Sequence, residues 1–374
     1  MKKIALFFGA FDPIRKSHVE TADLFAERVK ADELTILPIK VEELNYPPTE
    51  DEHFDKMLAA AFYKKNYVVK PRSYEKCFEY ILDTAKKVKA ENRVSEVYIL
   101  VCIDVITRLK RNGNLPAAVC DAVRAAATDG RILQYPSDKE AGDVGFRFST
   151  IVCPSAEELA INIKKTPPTF IKAQAALGLY DKLLPHSVAA YIEENGVYKN
   201  EYSDFLTDVL KPSRLTHTAG VMSLAVTYAT RVKCSIIDAY VAAMLHDCAK
   251  YLSASDWGYT LPEGVPDSVA HQFLGAYVAE NVLEIKSKDV LNAIRYHTTG
   301  RPEMSKLEKV VFLADLLEQG RTYDEVDTLR KAVDDDFDEG FKLCVDRLNK
   351  LLDKSGYEKY YLTGACRDYY CGKK

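Results

Sequence analysis

The chain has 374 residues, of which 47% are hydrophobic and 28% charged, and its formal net charge is −4. This length exceeds what one hydrophobic core usually organises, so two domains are expected. The weak net charge gives no support for a nucleic-acid partner or a membrane surface, and no apolar run reaches the length of a transmembrane helix.

The nine cysteines show no C-x-x-C spacing and lie mostly singly inside apolar runs. This pattern is typical of buried free thiols in a reducing compartment, so we expect a cytoplasmic protein. The oligomeric state is left open by the composition, which is compatible with a homodimer.

The first half of the chain alternates strand-like and helix-like segments. A helix is expected to begin near Ser17, and a capping box at 155–158 predicts the start of another. Short apolar runs predict buried strands at 4–8, 34–37, 97–101 and 149–153. This alternation predicts a doubly wound, parallel α/β sheet.

The second half has almost no strand pattern and is predicted to be all-α. Apolar residues at helical spacing cover 213–231, and further helices are expected over 235–250, from Asp267 and after a capping box at 305–308. A helix that ends at Gly196 precedes the expected boundary, which gives domains of residues 1–198 and 199–374.

Four of the seven histidines lie in this helical half, beside two aspartates. Imidazole and carboxylate are side chains that bind divalent transition metals. On one continuous helix, Lys250 would lie near both members of an adjacent His-Asp pair and add a cation for a phosphate. The candidate residues are His217, His246, Asp247, His271, His297 and Asp315.

Each of these residues also has a structural interpretation. A single histidine on a helix is more often part of the core or the surface than a metal ligand. Asp315, late in an otherwise apolar helix, is costly to bury unless it is paired or metal-bound, and Arg295 or Arg321 could pair with it. The joint occurrence of all six residues favours the metal site.

The order of these residues resembles that of the HD metal-dependent phosphohydrolases. More specifically, residues 207–321 resemble the bacterial HD-domain symmetrical diadenosine tetraphosphatases. The segments that carry this resemblance are Arg214-Leu215-Thr216-His217-Thr218, Met244-Leu245-His246-Asp247-Cys248-Ala249-Lys250, Ala293-Ile294-Arg295-Tyr296-His297-Thr298-Thr299-Gly300-Arg301-Pro302 and Leu307-Glu308-Lys309-Val310-Val311-Phe312-Leu313-Ala314-Asp315.

This resemblance implies an all-α HD-domain bundle and a metal, iron first and manganese or cobalt as alternatives. The implied ligands are His217, His246, Asp247 and Asp315. It also implies a small nucleotide substrate whose phosphates lie among Arg214, Lys250, His271, His297, Thr298 and Arg321. Whether His271 and His297 instead hold a second metal stays open. Asp247 and Lys250 are the expected catalytic residues.

The N-terminal half resembles the nicotinate-nucleotide adenylyltransferases, which implies a Rossmann-like nucleotidyltransferase fold. The resemblance rests on Phe8-Gly9-Ala10-Phe11-Asp12-Pro13-Ile14 with His18, and on the segment from Leu184 to Tyr198. In such a fold a strand-to-helix turn binds phosphate through free backbone N–H groups. The implied nucleotide-binding residues are Gly9, Phe11, Arg15, His18, Thr169 and Lys172, with Mg²⁺ for any activity.

This half departs from the family at several motifs. Arg15 stands where the family has the first histidine of H-x-G-H, and Lys172 replaces the arginine of S-S-T-x-I-R. Pro47-Pro48-Thr49-Glu50 lacks the basic end of P-P-H-K, and the family's stacking tryptophan has no counterpart. Lost phosphate contacts put adenylyl transfer in doubt, while Arg15 and Lys16 keep positive charge near the turn.

Four functional hypotheses follow from these residues. The first is a metal-dependent hydrolase that cleaves dinucleoside polyphosphates symmetrically, diadenosine tetraphosphate to two ADP, with a nucleotidyltransferase-like domain of doubtful activity. The second adds adenylyl transfer from ATP to nicotinate mononucleotide, a step of NAD biosynthesis. The third is a nucleotide sensor without turnover. The fourth keeps the hydrolase but changes the nucleotide, for example to a guanosine polyphosphate or a deoxynucleotide.

Overall fold

The computed structural model describes residues 2–40, 46–63, 65–73, 78–92, 95–102, 130–134, 147–150, 167–180, 182–355 and 358–372. Two compact units divide the chain. One comprises Met1–Pro168 and Tyr180–Val197, and the other comprises Thr169–Leu179 and Tyr198–Lys374. This division differs from the predicted one in the segment Thr169–Leu179, which packs with the C-terminal helices.

A six-stranded sheet organises the first unit. Its strands are β1 (Lys3–Gly9), β2 (Glu33–Pro38), β3 (Val68–Val69), β4 (Glu96–Cys102), β5 (Gly130–Gln134) and β6 (Arg147–Thr150), in the order β3-β2-β1-β4-β5-β6. The first four strands pair in parallel. β1 is central in this parallel part, and its residues from Ile4 to Phe8 are buried, as expected for a strand covered on both faces.

The predicted parallel sheet is confirmed for β1 to β4, and two further strands extend it at one edge in the antiparallel direction. β5 runs antiparallel to β4, and β6 runs antiparallel to β5. Of the predicted strand 149–153, only 149 and 150 lie in β6; residues 151–153 and the predicted capping box at 155–158 lie outside the described residues. An apolar run predicts that a strand is buried, but strand direction depends on how the connection crosses the sheet.

The described helices of the first unit are α1 (Lys16–Val29), α2 (Asp51–Phe62), α3 (Phe78–Glu91) and α5 (His186–Asn195). The predicted start of α1 and the predicted end of α5 are confirmed, whereas α2 and α3 were not predicted. α1 starts next to the predicted Ser17, and α5 ends at Gly196, whose φ of 60° is the left-handed conformation that favours glycine. Helix α4 (Pro168–Ala176) belongs to the second unit.

The second unit is helical throughout its described residues. Its remaining helices are α6 (Ser203–Val209), α7 (Pro212–Val232), α8 (Ile236–Leu245), α9 (Asp267–Asn281), α10 (Lys288–Arg295), α11 (Lys306–Leu317), α12 (Val326–Asp335), α13 (Phe337–Ser355) and α14 (Tyr361–Cys371), with a 3₁₀ turn at Ser255–Trp257. α7 packs against both α8 and α11, α9 packs against α10, and α10 packs against α11.

Serine side chains cap three of these helix starts, at Ser235, Ser287 and Ser305. Ser235 accepts a hydrogen bond from the Asp238 N–H, and Ser305 forms the predicted capping box with Glu308. The predicted helix over 235–250 is too long, because α8 ends at Leu245 and turns follow through Tyr251. His246 closes the helix by donating from Nδ1 to the Ala243 carbonyl. A helical repeat in the sequence cannot show this early end.

The buried thiols are confirmed where the structure describes them. Cys248, Cys344 and Cys366 are free and buried, and Cys234 and Cys371 are free and partly exposed. Across the described ranges, no helix combines the length and apolarity needed to cross a bilayer.

Candidate metal centre

Three helices of the second unit bring the predicted metal ligands together. His217 lies one turn inside α7, the His246-Asp247 pair follows the end of α8, and Asp315 lies in the last turn of α11. Because α7 packs against both other helices, residues far apart in sequence meet at one point. The ligand atoms of His217, His246 and Asp315 all lie within 4.8 Å of one another.

A second group shares one member with the first. The ligand atoms of His246, Asp247 and His297 also lie within 4.8 Å of one another. His246 Nε2 lies 3.4 Å from Asp247 Oδ2, and His297 Nε2 lies 3.6 Å from Asp247 Oδ1. The geometry therefore brings the His-Asp pair between two other histidines.

The imidazole rings are held so that Nε2 faces this cluster. Carbonyl oxygens only accept, so Nδ1 of His246 donates to Ala243 and Nδ1 of His297 donates to Ile294. Nε2 of His217 and of His246 is buried without a hydrogen-bond partner, although Asp315 Oδ1 approaches His217 Nε2 to 3.1 Å. Buried, unpartnered imidazole nitrogens beside carboxylates fit a bound divalent metal.

Among the described carboxylates of the site, Asp247 lies close to the largest number of basic side chains. Arg214 donates from Nη1 to Oδ2 at 2.8 Å, and His271 Nε2 lies 3.2 Å from Oδ1. Burial opposes ionisation, but the neighbouring histidines hold the pKa of Asp247 well below its ordinary value. Asp247 is therefore an anion whose two oxygens face different partners.

Asp315 is held in a similar state. Burial disfavours its charge, but His217, His246 and Arg321 keep the pKa of its carboxyl well below the ordinary value. Arg321 donates from Nη2 to Oδ1 at 2.6 Å and from Nε to the Asp315 carbonyl at 2.9 Å. The ion pair with Arg321 considered from sequence thus forms, and the same oxygen also faces His217.

Cationic groups surround the carboxylates. Lys250 Nζ lies 3.9 Å from Asp247 Oδ1 and 3.2 Å from His271 Nε2, and burial lowers the pKa of Lys250. With Arg214 and Arg321, this gives the cluster three cations that could face phosphate oxygens. The predicted phosphate-binding set therefore lies beside the predicted metal ligands, although Lys250 reaches it from a turn and not from a helix.

His271 differs from the other three histidines. Its Nε2 lies 3.3 Å from both His297 Nε2 and Thr298 Oγ1. Burial lowers the pKa of His271 to about 4, so its imidazole is neutral near pH 7. The described ligand groups include His297 and omit His271.

Two polar residues of the site were missed by the sequence analysis. Glu318 Oε1 lies 3.2 Å from His217 Nδ1, and Glu318 is 4% exposed. Gln272 is fully buried, accepts from the backbone N–H groups of Thr298 and Thr299, and donates to Thr299 Oγ1. Gln272 directly follows His271, and Glu318 lies three residues after Asp315. This closeness in sequence to predicted site residues was the available indication for both.

In the first unit, the predicted nucleotide-binding residues Gly9, Phe11, Arg15 and His18 lie between β1 and the first turn of α1. Arg15 N–H donates to His18 Nδ1 at 3.1 Å, which leaves Nε2 as the protonated nitrogen of the neutral ring. Phe11 has a positive φ of 50° and packs its ring against His18. Burial and then Arg15 lower the pKa of His18 to about 3.

The other two residues of that prediction belong to the second unit. Thr169 Oγ1 and Ser223 Oγ share a buried hydrogen bond of 2.7 Å, and Lys172 is fully buried over the ring of Tyr198. Both residues thus take part in packing within the helical unit, and their role in nucleotide binding stays a prediction.

A buried polar cluster near the same turn was not predicted. Thr49 Oγ1 donates to Asp12 Oδ1 at 2.5 Å, and Arg72 lies 3.7 Å from Asp12 and donates to the Thr49 carbonyl. The guanidinium of Arg72 also lies 3.7 Å from the centre of the Phe54 ring. This cluster ties the β1–α1 turn to the start of α2.

Comparisons with known proteins give matches to the helical half of the chain and to nearly the whole chain. The HD domain family matches residues 214–320, which contain the predicted metal ligands. The symmetrical bis(5′-nucleosyl)-tetraphosphatase of Bacillus subtilis is 35% identical over 138 residues, which are 35% of this chain and 74% of that protein. That of Halalkalibacterium halodurans is 37% identical over 129 residues, 32% of this chain and 69% of that protein.

A third relative extends over both units. The probable nicotinate-nucleotide adenylyltransferase/Ap4A hydrolase of Mycoplasma genitalium is 24% identical over 365 residues, which are 94% of this chain and 99% of that protein. Together with the HD-domain match and the tetraphosphatase relatives, the histidine–aspartate cluster shows that this chain belongs to the HD-domain family of the symmetrical bis(5′-nucleosyl)-tetraphosphatases.

Proposed function

We propose that this protein hydrolyses dinucleoside polyphosphates symmetrically, with diadenosine tetraphosphate giving two ADP. The observation that carries this proposal is the pair of buried, unpartnered Nε2 atoms of His217 and His246 beside Asp247 and Asp315. Three cations adjoin these carboxylates, as a polyphosphate substrate requires. The named activity of the Bacillus subtilis relative supports the choice of substrate.

The proposed metal ligands are His217, His246, Asp247 and Asp315, with iron as the expected ion and manganese or cobalt as alternatives. When bound, such a metal lowers the pKa of a water molecule and polarises a phosphoryl oxygen. The two histidines would bind it as neutral imidazoles through Nε2, and their Nδ1 contacts hold the rings in that orientation.

The remaining site residues would act on the phosphates. Arg214, Lys250 and Arg321 would offset the charge that develops on bridging and leaving oxygens. Thr298, His271 and His297 would contact the substrate next to Lys250, on the side of Asp247 that carries Oδ1. A second metal at His246, Asp247 and His297 is the alternative for this side, since their ligand atoms are also close together.

Product analysis tests the proposal directly. Metal-loaded protein is incubated with diadenosine tetraphosphate, and the nucleotides are separated by chromatography. A single ADP product is expected. An AMP and ATP pair would mean that the site cleaves in another register, and absence of turnover with iron, manganese and cobalt would count against hydrolysis of this substrate.

The variant Asp247→Ala checks the residue assignment. It removes a carboxylate that contacts Arg214 and three histidines, so metal content and ADP production should both fall, activity by at least about 100-fold. Asp256→Ala, an exposed aspartate outside the cluster, is the control. Full activity in Asp247→Ala would contradict the metal assignment.

A second candidate function is adenylyl transfer by the first unit, which would place the protein in NAD biosynthesis. The full-length similarity to the Mycoplasma genitalium protein favours it, and His18 offers Nε2–H toward a phosphate. Mg²⁺ would be the cofactor. Incubation with ATP and nicotinate mononucleotide should release pyrophosphate if this unit is active; without release, the unit is a nucleotide-binding or structural domain.

Two further interpretations have distinct outcomes in the same assays. Tight metal and nucleotide binding without hydrolysis would indicate a nucleotide sensor. Turnover of a guanosine polyphosphate or a deoxynucleotide in place of diadenosine tetraphosphate would keep the chemistry and change the substrate. We propose that residues 1–198 and 199–374 correspond to the two functional domains, except that Thr169–Leu179 packs with the helical unit. We also propose a cytoplasmic location and a homodimeric assembly, which fractionation and light scattering would test.

A further inference from the structure

Glu318 is the buried carboxylate nearest the proposed metal ligands that sequence analysis assigned no role. It follows α11 immediately and is 4% exposed. Its Oε1 lies 3.2 Å from His217 Nδ1, and its Oε2 accepts from the Gly320 N–H. An ionised carboxylate accepts only, so in the neutral imidazole that binds a metal this contact places the proton of His217 on Nδ1 and leaves the lone pair on Nε2.

The fold provides a space for this side chain. Gly220 lies three residues after His217 in α7, and therefore on the same face of that helix. A β-carbon at Gly220 would overlap Glu318 Oε2, so a larger residue there would require the carboxylate to shift. Helix α7 thus presents a histidine and, one turn later, the gap that its acidic partner fills.

His217 also differs from His246 and His297 in the group that holds its imidazole ring. His246 and His297 each donate from Nδ1 to a backbone carbonyl in the preceding turn. His217 lies within a continuous helix, where the preceding carbonyls accept intrahelical hydrogen bonds, and its Nδ1 faces Glu318. At His217 a carboxylate side chain therefore accepts the Nδ1 hydrogen bond that a backbone carbonyl accepts at His246 and at His297.

We propose that Glu318 is a positioning residue that fixes the tautomer and ring orientation of His217 for metal binding. The segment from Asp315 to Arg321 then supplies a ligand, the orienting carboxylate and a phosphate-binding cation within seven residues of chain. This inference rests on the proposed metal site, because it assigns Glu318 a role through His217. Removal of such a partner typically weakens metal binding about 10- to 100-fold.

Cobalt binding to the full-length, metal-free protein tests the role without substrate. Co²⁺ is titrated against a chelator, and its visible absorption reports the ligand set. Glu318→Ala should bind Co²⁺ about 10- to 100-fold more weakly with an altered spectrum. Glu318→Gln should restore most of the affinity, because an amide oxygen also accepts from Nδ1–H. Gly220→Ala keeps the carboxylate but fills its space, and should also weaken binding.

A matched variant separates positioning from general stability. Glu308 is also buried and lies within α11, and it pairs at 2.7 Å with Arg301, which is not a proposed metal ligand. Glu308→Ala should lower the melting temperature and leave Co²⁺ affinity unchanged. Wild-type affinity and spectrum in Glu318→Ala, or an equal loss in Glu308→Ala, would overturn the role. If the wild-type protein did not bind Co²⁺, the result would instead contradict the proposed metal site itself.

Discussion

Lys250 shows how one residue of the site gains a function from its surroundings. Its ammonium lies 3.9 Å from Asp247 Oδ1 and about a third of its side chain is exposed, so it is fixed by a buried anion and still accessible to a substrate. Burial lowers its pKa, with Asp247 acting in the opposite direction. Such a cation adds charge stabilisation without being required to hold the metal.

Replacement of Lys250 should therefore separate metal binding from turnover. Lys250→Ala should lower kcat/KM about 10- to 100-fold, the equivalent of one charge-assisted hydrogen bond, while metal content stays at the wild-type value. Lys250→Arg keeps the charge and should recover part of the activity. Steady-state kinetics with metal analysis of the same samples checks this, and a Lys250→Ala protein without metal would contradict it.

Among the elements, the turn after α10 depends on a side chain from α9. Gln272 accepts from two successive backbone N–H groups, those of Thr298 and Thr299, at 3.2 Å each. This buried amide oxygen satisfies two N–H groups of the turn that follows α10. The contact helps to place Thr298 beside His271. The shape of the phosphate side of the site is thus decided by a contact between two helices.

Gln272→Leu should destabilise the protein by about 2–4 kcal/mol, because two buried N–H groups lose their acceptor. Urea unfolding followed by the circular dichroism of the helices measures the change. Equal stability of wild type and Gln272→Leu would show that water satisfies the turn.

The start of α1 contains His18, whose titration changes the stability of the protein in a predictable direction. The pKa of His18 is about 3 in the folded protein, below its ordinary value of 6.5. The unfolded chain therefore binds the proton first, so the contribution of neutral His18 is complete above pH 6.5 and declines as pH falls toward 3.

Hydrogen exchange of residues 2–40, compared at pH 7 and pH 4.5 with correction for intrinsic rates, tests this. The wild-type segment should lose protection at the lower pH, and His18→Gln should lose less. His186→Gln, at an exposed histidine of the same unit, should behave as wild type. The same acid response in all three proteins would contradict the role of His18.

At the scale of the molecule, the metal site connects three helices of one unit only. Its proposed ligands come from α7, the end of α8, and α11, and the sheet unit contributes none of them. A ligand that binds only the folded state stabilises that state, by about 2.7 kcal/mol when present at 100 times its dissociation constant. Metal binding should therefore stabilise the helical unit selectively.

Removal of the metal with a chelator tests this selectivity. Exchange protection in α7, α8 and α11 should decrease, and that of β1 and α1 should stay unchanged. Addition of Co²⁺ or Mn²⁺ should restore the protection. A loss spread equally over both units would mean that the metal acts beyond the three helices that carry its ligands.

Much of the site was predictable because its residues occur in an order that resembles a known family. The order of His217, His246-Asp247 and Asp315 led to the proposed ligands, and capping residues such as Ser235 and Ser305 marked helix starts. Glu318 and Gln272 escaped prediction because a single buried polar residue has no pattern of its own. Their partners lie 101 and 26 or 27 residues away in sequence.

The sequence by itself determined that an α/β half precedes a helical half, because hydrophobic periods of strands and helices differ and can be counted. It also identified the residue types of a metal site. Only the tertiary structure decided that α8 ends before the His-Asp pair, that β5 and β6 run antiparallel, and that α4 joins the helical unit. These features depend on packing between distant segments, which no local period records.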